Sequence, residues 1–358
     1  MKTPSTRENN FDLLRLVAAA QVAFFHTTKH LGVPVDHSNP LVAAAAWFSG
    51  VPIFFVVSGF LISASWEHNP EIRTYARNRA LRIYPALWVC IAVSIACAAL
   101  LGGVSFLRFD AIPWLLAQVS FVQFYNPDFL RGYGVGALNG SLWTIPVELQ
   151  FYVLVPLLYR LLRLRERPGN ASLLSLAAAS IAAQALLMAL GEDSRVFLVK
   201  LYKMTLAPYL WMFLLGTLLQ RNFARIGWML RGKGLLWLGL YLAIAFVCEQ
   251  AGLRVGSNHP NPVPMAVLGC ATVSIAFTAP WLSERVLRGS DISYGAYIYH
   301  MVVVNGALAI GLDGSWRSFA VSSSIIVALS AISWFFVERP ALRRKRNPLH
   351  AVSASTPG

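Results

Sequence analysis

Charge is scarce in this sequence. Asp, Glu, Lys and Arg supply 13% of the 358 residues, against about 25% in an ordinary soluble domain. The residues AVILMFWYC supply 56%, and the mean hydropathy is +0.56. This composition excludes a disordered chain, which needs low hydrophobicity, and it argues against a soluble enzyme. Hydrophobic blocks recur along the whole length, separated by short basic stretches. The pattern therefore predicts a multi-pass membrane protein.

Acidic residues and cysteines are also few. The 16 Asp and Glu are outnumbered by 30 Lys and Arg, which gives a formal net charge of +14. In a membrane protein such an excess first indicates cytoplasmic loops, where basic residues collect, so we expect no nucleic-acid partner. Cys90, Cys97, Cys248 and Cys270 all lie in apolar blocks without CxxC or metal-ligand spacing. We therefore expect neither a disulfide nor a metal site.

Ten hydrophobic runs approach the ~20 residues that a membrane-spanning helix needs. They lie at about residues 11–31, 41–63, 84–104, 141–162, 171–190, 202–220, 234–250, 262–283, 291–311 and 317–337. The apolar stretch 111–125 is short and aromatic, and we expect it to be interfacial or re-entrant. Arg15 inside the first run argues against a cleaved signal peptide. The predicted fold class is an all-α membrane helix bundle of about ten transmembrane helices, in one domain over 11–338 between short tails at 1–10 and 339–358.

The basic residues divide in agreement with these runs. With the N-terminus inside, the inner segments carry 21 of the 30 Lys and Arg and the outer segments carry 8. An eleventh span at 111–125 would move every later basic loop to the outside. The positive-inside rule therefore predicts that both termini are cytoplasmic and that the protein lies in the lipid bilayer of the inner (cytoplasmic) membrane.

The first run carries a polar stripe. Arg15 and His26 are eleven residues apart, which is about 1100° of helical rotation, so both lie on one face and about 16 Å apart. Asp12 precedes Arg15 by three residues and lies on nearly the same side. Ionisable residues at depth in a membrane are costly and are functional candidates, although a polar side chain there can also simply join two helices.

Glu148 is expected at about the depth of His26. Counted from the ends of the runs, His26 lies about 22 Å from the inner surface and Glu148 about 10 Å below the outer surface, in a core about 30 Å thick. An imidazole and a carboxylate at one depth suit a general base and its orienting partner. A purely structural His–Glu hydrogen bond fits equally well. His300, near mid-membrane in the ninth run, fits packing as well as catalysis.

A second group of polar residues is expected near the inner surface. Arg79 and Arg82 in RNRALRIYP join Arg15 there, and the Ser58-Gly59 pair lies in FFVVSGFLIS. Two arginines at i,i+3 can face one phosphate-bearing ligand together, whereas topology alone also explains basic residues at this surface. A glycine allows a kink or the close approach of a ligand to the backbone.

In these segments the sequence resembles the acyltransferase-3 family of integral membrane acyltransferases. The matching pieces occur in the family's order from about residue 9 to 340, nearly the whole chain. They are FDLLRLVAAAQVAFFH, VPIFFVVSGFLIS, RNRALRIYPALW, SLWTIPVELQFYVLVPLL, ISYGAYIYH and FFVERP. Each piece is weak evidence alone, but the ordered set is highly specific.

The resemblance implies transfer of an acyl group, usually acetyl, from cytoplasmic acyl-CoA to a hydroxyl of a glycan or macrolide-type acceptor, with no permanently bound cofactor. By position, His26 matches the family's essential histidine and Arg15 its paired arginine. Arg82 matches the arginine before the third span. Glu148 matches the acid of a WSxxxE-like motif, in which Thr144 replaces the usual serine.

These matches and the residue analysis together assign expected roles. His26 is expected to act as base or nucleophile and Glu148 to orient it. The residues expected to bind acyl-CoA are Arg15, Ser58, Gly59, Arg79 and Arg82, and those expected to contact substrate are Trp143, Tyr294 and His300. The competing interpretation is a proton-coupled transporter that uses His26 and Glu148 as a relay. Such a transporter would more often show two repeat-related halves, and the sequence has no such symmetry.

Overall fold

The described residues fold into helices, and no strand occurs among them. The structure, a computed structural model, describes residues 9–166, 169–191, 196–312 and 314–345, so parts of both predicted tails lie outside it. The α-helices are α1 (Phe11–Leu31), α2 (Pro40–Trp47), α3 (Gly50–His68), α4 (Ile72–Gly102), α5 (Ala111–Val119), α6 (Thr144–Leu161), α7 (Asn170–Ala189), α8 (Phe197–Lys203), α9 (Leu210–Leu230), α10 (Gly234–Gln250), α11 (Pro262–Ala276), α12 (Trp281–Leu287), α13 (Ser293–Ala309), α14 (Trp316–Ser333) and α15 (Arg339–Arg343). Short 3-10 helices lie at Asp128–Leu130 and Gly140–Trp143, and a π-helix lies at Trp334–Glu338. The predicted all-α fold class is confirmed.

Each hydrophobic run contains a helix, and three helices begin far from the predicted starts. The run 41–63 is divided between α2 and α3, so α3 begins nine residues after the predicted start. α4 begins twelve residues before the run that starts at residue 84. Its start is set by Glu71, whose carboxylate accepts hydrogen bonds from the backbone N–H groups of Arg73 and Thr74, as an N-capping side chain does. α9 begins eight residues after the predicted start of the sixth run, because the polypeptide first forms the separate helix α8.

Judged by length and hydropathy alone, fewer helical segments can cross a membrane than the ten predicted runs. Within the described residues, five helical segments can cross a membrane, or up to seven if each of two bent pairs is one span. α9 and α10 are bent by 96°, and α11 and α12 by 75°. The polar stripe of α1 lowers its hydropathy, and α13 is 17 residues long. The protein is a multi-pass membrane protein, while ten spans and cytoplasmic termini stay predictions.

The stretch 111–125 forms a short helix within the long loop. α5 has 9 residues, about 14 Å of helix, which is too short for a core about 30 Å thick. Its Trp114 is buried beside the rings of Phe106 and Phe129. Leu130 and Tyr133 belong to the same small cluster. This geometry agrees with the expectation of an interfacial or re-entrant element.

Close packing between helices brings the polar residues together. α13 is buried over most of Ser293–Ala307 and packs along α1, α4 and α14. α3 and α9 meet through a glycine on each helix. A Cβ on Gly59 would lie 2.0 Å from the carbonyl oxygen of Phe213, and one on Gly216 would lie 2.0 Å from that of Val56. Small residues allow such close approach between membrane helices.

Candidate active site

A cavity of about 400 Å³ lies between the N-terminal ends of α1 and α13 and the facing sides of α3, α4 and α6. We call it the first cavity. The predicted site residues that line it are Arg15, Ser58, Arg79, Arg82, Glu148 and Tyr294. Residues up to 279 positions apart in the sequence therefore share one surface.

Acidic and basic side chains form a connected cluster on one wall of the first cavity. Asp291 Oδ2 lies 2.5 Å from Arg82 Nη2 and 3.7 Å from Arg15 Nη1. Arg15 Nη1 also donates to Asp12 Oδ1 at 2.8 Å. The other oxygen of Asp291 accepts hydrogen bonds from the backbone N–H and hydroxyl of Ser293. Asp291 is buried, and a buried carboxylate requires such compensation. The cluster therefore holds both guanidinium groups at fixed places on the cavity wall.

Arg79 is held on a second wall by aromatic rings. Its guanidinium carbon lies 5.7 Å from the ring centroids of both Tyr75 and Tyr152, within the range of a cation–π contact. Its Nη2 donates to Ser65 Oγ at 3.2 Å. The buried Nε has no hydrogen-bond partner among the described residues. Arg79 thus keeps hydrogen-bonding capacity that its protein neighbours do not use.

Lys345, just after α15, also lines the first cavity. Desolvation, followed by the positive charges of Arg82, Arg79 and Arg15, lowers the pKa of Lys345 to about 8. The described lining therefore has four cationic side chains, Arg15, Arg79, Arg82 and Lys345, and three carboxylates, Asp12, Glu148 and Asp291. This balance of charges favours an anionic ligand only modestly. The position of such a ligand would be set by the fixed arginines.

Glu148 faces the first cavity from the second turn of α6. Its Oε1 accepts hydrogen bonds from Ser58 Oγ at 3.1 Å and from Tyr152 OH at 2.6 Å. Pro146 lies in the first turn of α6, where a backbone N–H has no intrahelical partner to lose. The proline is therefore accommodated at the start of the helix.

His26 has a different partner from the one predicted. Its Nδ1 lies 3.0 Å from Nε2 of His300, and among the described residues no hydrogen bond joins His26 to Glu148. The reason lies in the packing, because α1 lies along α13 whereas α6 contacts α3. An expected equal depth in the membrane carries no information about which helices touch.

The hydrogen bonds of His300 determine which ring nitrogens carry protons. His300 Nδ1 lies 2.6 Å from the backbone oxygen of Tyr297. A carbonyl only accepts, so this nitrogen donates, and in a neutral imidazole the other nitrogen then accepts. His300 Nε2 therefore accepts from His26 Nδ1–H. This arrangement leaves the lone pair of His26 on Nε2, the form that a general base or a nucleophile requires.

Tyr297 connects the imidazole pair with the first cavity. It lines the cavity, one turn before His300 on α13, and its ring centroid lies 5.9 Å from that of His300. Its hydroxyl lies 3.0 Å from Thr144 Oγ1 and 3.2 Å from the carbonyl oxygen of Ser141. Among the described lining residues of the first cavity His26 is absent, so this cavity ends about one side-chain layer from the imidazole pair.

Besides His26 and His300, two predicted site residues lie away from the described lining of the first cavity. Gly59 contacts the backbone of α9, as described above, and its absent side chain serves helix packing. Trp143 packs its ring 5.4 Å from that of Tyr209 and lines a separate cavity. The glycine therefore explains the approach of two helices better than the approach of a ligand.

Sequence reasoning missed four residues that shape the first cavity, namely Tyr152, Asp291, Tyr297 and Lys345. Asp291 had a signal, since it is a lone carboxylate directly before ISYGAYIYH at a basic inner end of a run. Tyr152 had another, because it lies four residues after Glu148, the spacing at which helical side chains meet. The contacts of Tyr297 and Lys345 involve distant segments and left no local signal.

The helical membrane fold thus holds an imidazole pair about one side-chain layer from a cavity with fixed arginines. The comparison with protein families identifies the enzyme class. A family model described as an acyltransferase domain matches residues 8–337. The chain therefore belongs to this acyltransferase family, and the resemblance inferred from its motifs is confirmed.

Curated relatives agree with the family. The chain is 35% identical over 356 residues to Nodulation protein 10 of Rhizobium leguminosarum bv. viciae, covering 95% of this chain and 94% of that protein. It is 24% identical to an O-acetyl transferase of Shigella phage Sf6, over 94% of this chain and 97% of that protein. It is 25% identical to the peptidoglycan O-acetyltransferase OatA of Listeria monocytogenes, over 83% of this chain and 51% of that protein. No solved structure matches. The protein is a membrane O-acyltransferase.

Proposed function

We propose that this enzyme transfers an acyl group, most simply acetyl, from cytoplasmic acyl-CoA to a hydroxyl of a carbohydrate acceptor at the cytoplasmic membrane. The observation that carries the proposal is the hydrogen-bonded pair of His26 and His300, which leaves a basic nitrogen on His26 near a cavity with fixed arginines. Two of the relatives are named as O-acetyltransferases, and one of these names peptidoglycan.

The first cavity is the proposed donor site. The phosphates of acyl-CoA contact Arg15, Arg79, Arg82 and Lys345, since guanidinium groups bind phosphate in a directed, often bidentate way. The pantetheine arm passes Ser58 and Glu148 and carries the thioester towards the layer formed by Tyr297. The cytoplasmic location of the donor follows from the predicted orientation of the basic loops.

His26 Nε2 is the proposed reactive atom. In one route it accepts the proton of the acceptor hydroxyl as that oxygen attacks the thioester carbonyl, and the CoA thiolate leaves and takes up the proton. In the other route, His26 Nε2 attacks the thioester carbonyl, the C–S bond breaks, and the CoA thiolate departs to leave an acyl-imidazole. The acceptor oxygen then attacks the acyl carbon, the C–N bond breaks to restore His26, and the hydroxyl proton passes to the thiolate. In both routes His300 holds the tautomer of His26 and supports the positive charge that develops on its ring. Glu148 accepts hydrogen bonds from Ser58 and Tyr152 and lines the donor cavity.

The test is acyl transfer by the purified protein in lipid, with radiolabelled acetyl-CoA and a panel of glycan and macrolide acceptors. His26→Ala should lower turnover by about 10²–10⁴-fold, the contribution of a general acid–base group, while binding of acetyl-CoA is retained. His30→Ala is the matched control, because His30 lies one turn further along α1 with its ring 5.9 Å from that of His26. Full turnover by the His26 variant would remove this residue from the chemistry. Absence of donor turnover in a folded wild-type protein would favour transport instead.

A further inference from the structure

A second cavity, of about 300 Å³, lies beside the long loop that follows α4. The loop runs along the C-terminal half of α13, where Asn305 Oδ1 accepts from the backbone N–H of Val135 and its Nδ2 donates to the carbonyl oxygens of Ala137 and Leu138. The first cavity lies at the N-terminal end of the same helix. The loop that lines the second cavity therefore runs along α13 from its C-terminal half towards the part of the helix that the first cavity contacts.

The lining of the second cavity combines aromatic rings with side-chain amides. The rings belong to Trp114, Phe124, Tyr125, Trp143 and Tyr209, and the amides to Gln118, Gln123, Asn126, Asn139 and Asn258. Among the described lining residues there is no carboxylate, and Lys203 is the one lysine or arginine. Such a surface offers flat apolar faces together with neutral hydrogen-bond donors and acceptors.

Gln123, which lines this cavity, has an unused hydrogen-bond acceptor. The residue is 5% exposed, and its Nε2 donates to the backbone oxygens of Gln118 at 2.9 Å and Ser120 at 3.0 Å. These two bonds fix the orientation of the amide. Its Oε1 is buried and has no hydrogen-bond partner among the described residues. A buried acceptor without a partner costs free energy, and a ligand hydroxyl in the cavity would supply the missing donor.

The two cavities are adjacent where the backbone passes from Trp143 to Thr144. Trp143 lines the second cavity, and the next residue, Thr144, lines the first. Asn139, from the same segment, donates to the backbone oxygen of Ile298 at 2.7 Å, two residues before His300. A ligand in the second cavity therefore lies on the other side of a thin wall from the donor cavity and next to the helix that carries His300.

We propose that the second cavity binds a neutral pyranose ring of the acceptor. The aromatic side chains pack against the C–H faces of the ring, and the amides, with Gln123 Oε1 among them, hydrogen-bond its hydroxyls, the arrangement expected of a site with apolar walls and a few placed polar groups. The proposal rests on the proposed function, because it identifies the class of acceptor for that same reaction. Acylation then occurs on a hydroxyl that points from this cavity towards the imidazole pair.

The test is direct binding of sugars to the full chain in lipid nanodiscs, without glycosidic detergents, which would compete. The probes are methyl glycosides and trisaccharides of glucose, galactose and N-acetylglucosamine, followed by saturation-transfer NMR and calorimetry. Tyr125→Ala removes a lining ring that is 41% exposed, so we expect a folded protein with affinity lower by about tenfold, or about 1.4 kcal/mol. Gln123→Leu should lower affinity too, although it also loses two bonds within the loop. Phe121→Ala is the matched control, since Phe121 is 65% exposed and lies outside the described lining of the cavity.

The outcomes separate this proposal from the enzyme's general function. Saturable binding that Tyr125→Ala weakens, and that Phe121→Ala leaves unchanged, supports the sugar site. Wild-type protein that consumes acetyl-CoA but binds none of the sugars would overturn the sugar site and leave the proposed reaction in place. Sugar binding without any use of acetyl-CoA would support the sugar site and contradict the proposed reaction. Equal loss in the Tyr125 and Phe121 variants would also contradict the proposal.

Discussion

At the scale of single residues, the hydrogen bond between His26 and His300 gives His300 a role that a substitution can separate from packing. Nε2 of His300 accepts the proton of His26 Nδ1, as its own bond to the Tyr297 carbonyl requires. His300→Leu removes this acceptor, so His26 loses the bond that selects its reactive tautomer. We expect kcat to fall by about 10²-fold or more, since loss of a tautomer-fixing partner has large effects on catalytic histidines, while KM for acetyl-CoA stays nearly constant.

His300→Gln is the conservative comparison for this prediction. A glutamine amide oxygen reaches about as far as imidazole Nε2 and accepts a hydrogen bond, so this variant should recover part of the kcat lost in His300→Leu. The pH profile of kcat should also differ between the two variants, because only one of them keeps an acceptor beside His26. Equal kcat losses with equal drops in thermal stability would instead assign His300 to packing.

Lys345 makes the donor cavity sensitive to pH. Desolvation and the nearby arginines lower its pKa to about 8, so Lys345 is protonated at pH 7 and neutral at pH 9. The cavity loses one positive charge as pH rises through this value, and an anionic ligand should then bind more weakly. We expect the Kd of acetyl-CoA to increase by several-fold between pH 7 and pH 9, measured by calorimetry, on the scale of one exposed charge contact.

Two substitutions test whether Lys345 is the group responsible. Lys345→Arg stays charged throughout this range, so its Kd should vary little with pH. Lys345→Ala should bind acetyl-CoA at pH 7 about as weakly as the wild type does at pH 9. A wild-type Kd that is constant across this range would contradict the assignment, and a full pH response in the arginine variant would place the titrating group elsewhere.

At the scale of helices, the crossing of α3 and α9 depends on glycine. A Cβ at Gly59 would meet the backbone oxygen of Phe213 at 2.0 Å, and backbone atoms cannot move aside as a side-chain tip does. Gly59→Ala should therefore push the two helices apart and lower the free energy of unfolding by about 1–3 kcal/mol, the usual cost of overpacking. Thermal unfolding in nanodiscs would measure the loss.

Gly239 provides the control for the helix-packing prediction. It lies within α10, and a Cβ there would meet nothing within 4 Å among the described residues. Gly239→Ala should be neutral or stabilising by about 0.5–1 kcal/mol, because alanine restricts the unfolded chain and favours helix. If both variants unfold at the same temperature, the contact between α3 and α9 is not as close as the structure has it.

The helices could largely be predicted from the sequence, whereas the contacts between them could not. Hydropathy located a helix in every run because apolar side chains are stable in the membrane core. Backbone polar groups of a single segment can form hydrogen bonds there only within a helix. The cationic wall could also be anticipated, since Arg15, Arg79 and Arg82 share one surface. The pairing of His26 with His300 could not, because it depends on which helices are neighbours. Depth in the membrane is set by position along each helix, but lateral contact is set by packing.

At the scale of the whole molecule, the distribution of basic residues leads to a topology that length and hydropathy alone do not establish. Ten spans place the loop before α5 and the loop between α12 and α13 on opposite sides of the membrane. Eleven spans, with 111–125 crossing, would place them on the same side. So would the seven spans counted when each bent pair is one span, because α9 and α10 then count as one span and four spans instead of five separate the two loops. The side of these two loops therefore decides between the alternatives.

A pair of cysteine substitutions makes that decision measurable. Phe109 is 92% exposed in the loop before α5, and Arg285 is exposed on α12. In intact cells, an impermeant thiol reagent should label Phe109→Cys and not Arg285→Cys, and opening the membrane should allow both to react. The native cysteines are free thiols, so an otherwise cysteine-free background removes their signal. Because basic residues resist translocation, ten spans predict this asymmetry, and equal labelling of both positions from outside would contradict the ten-span topology.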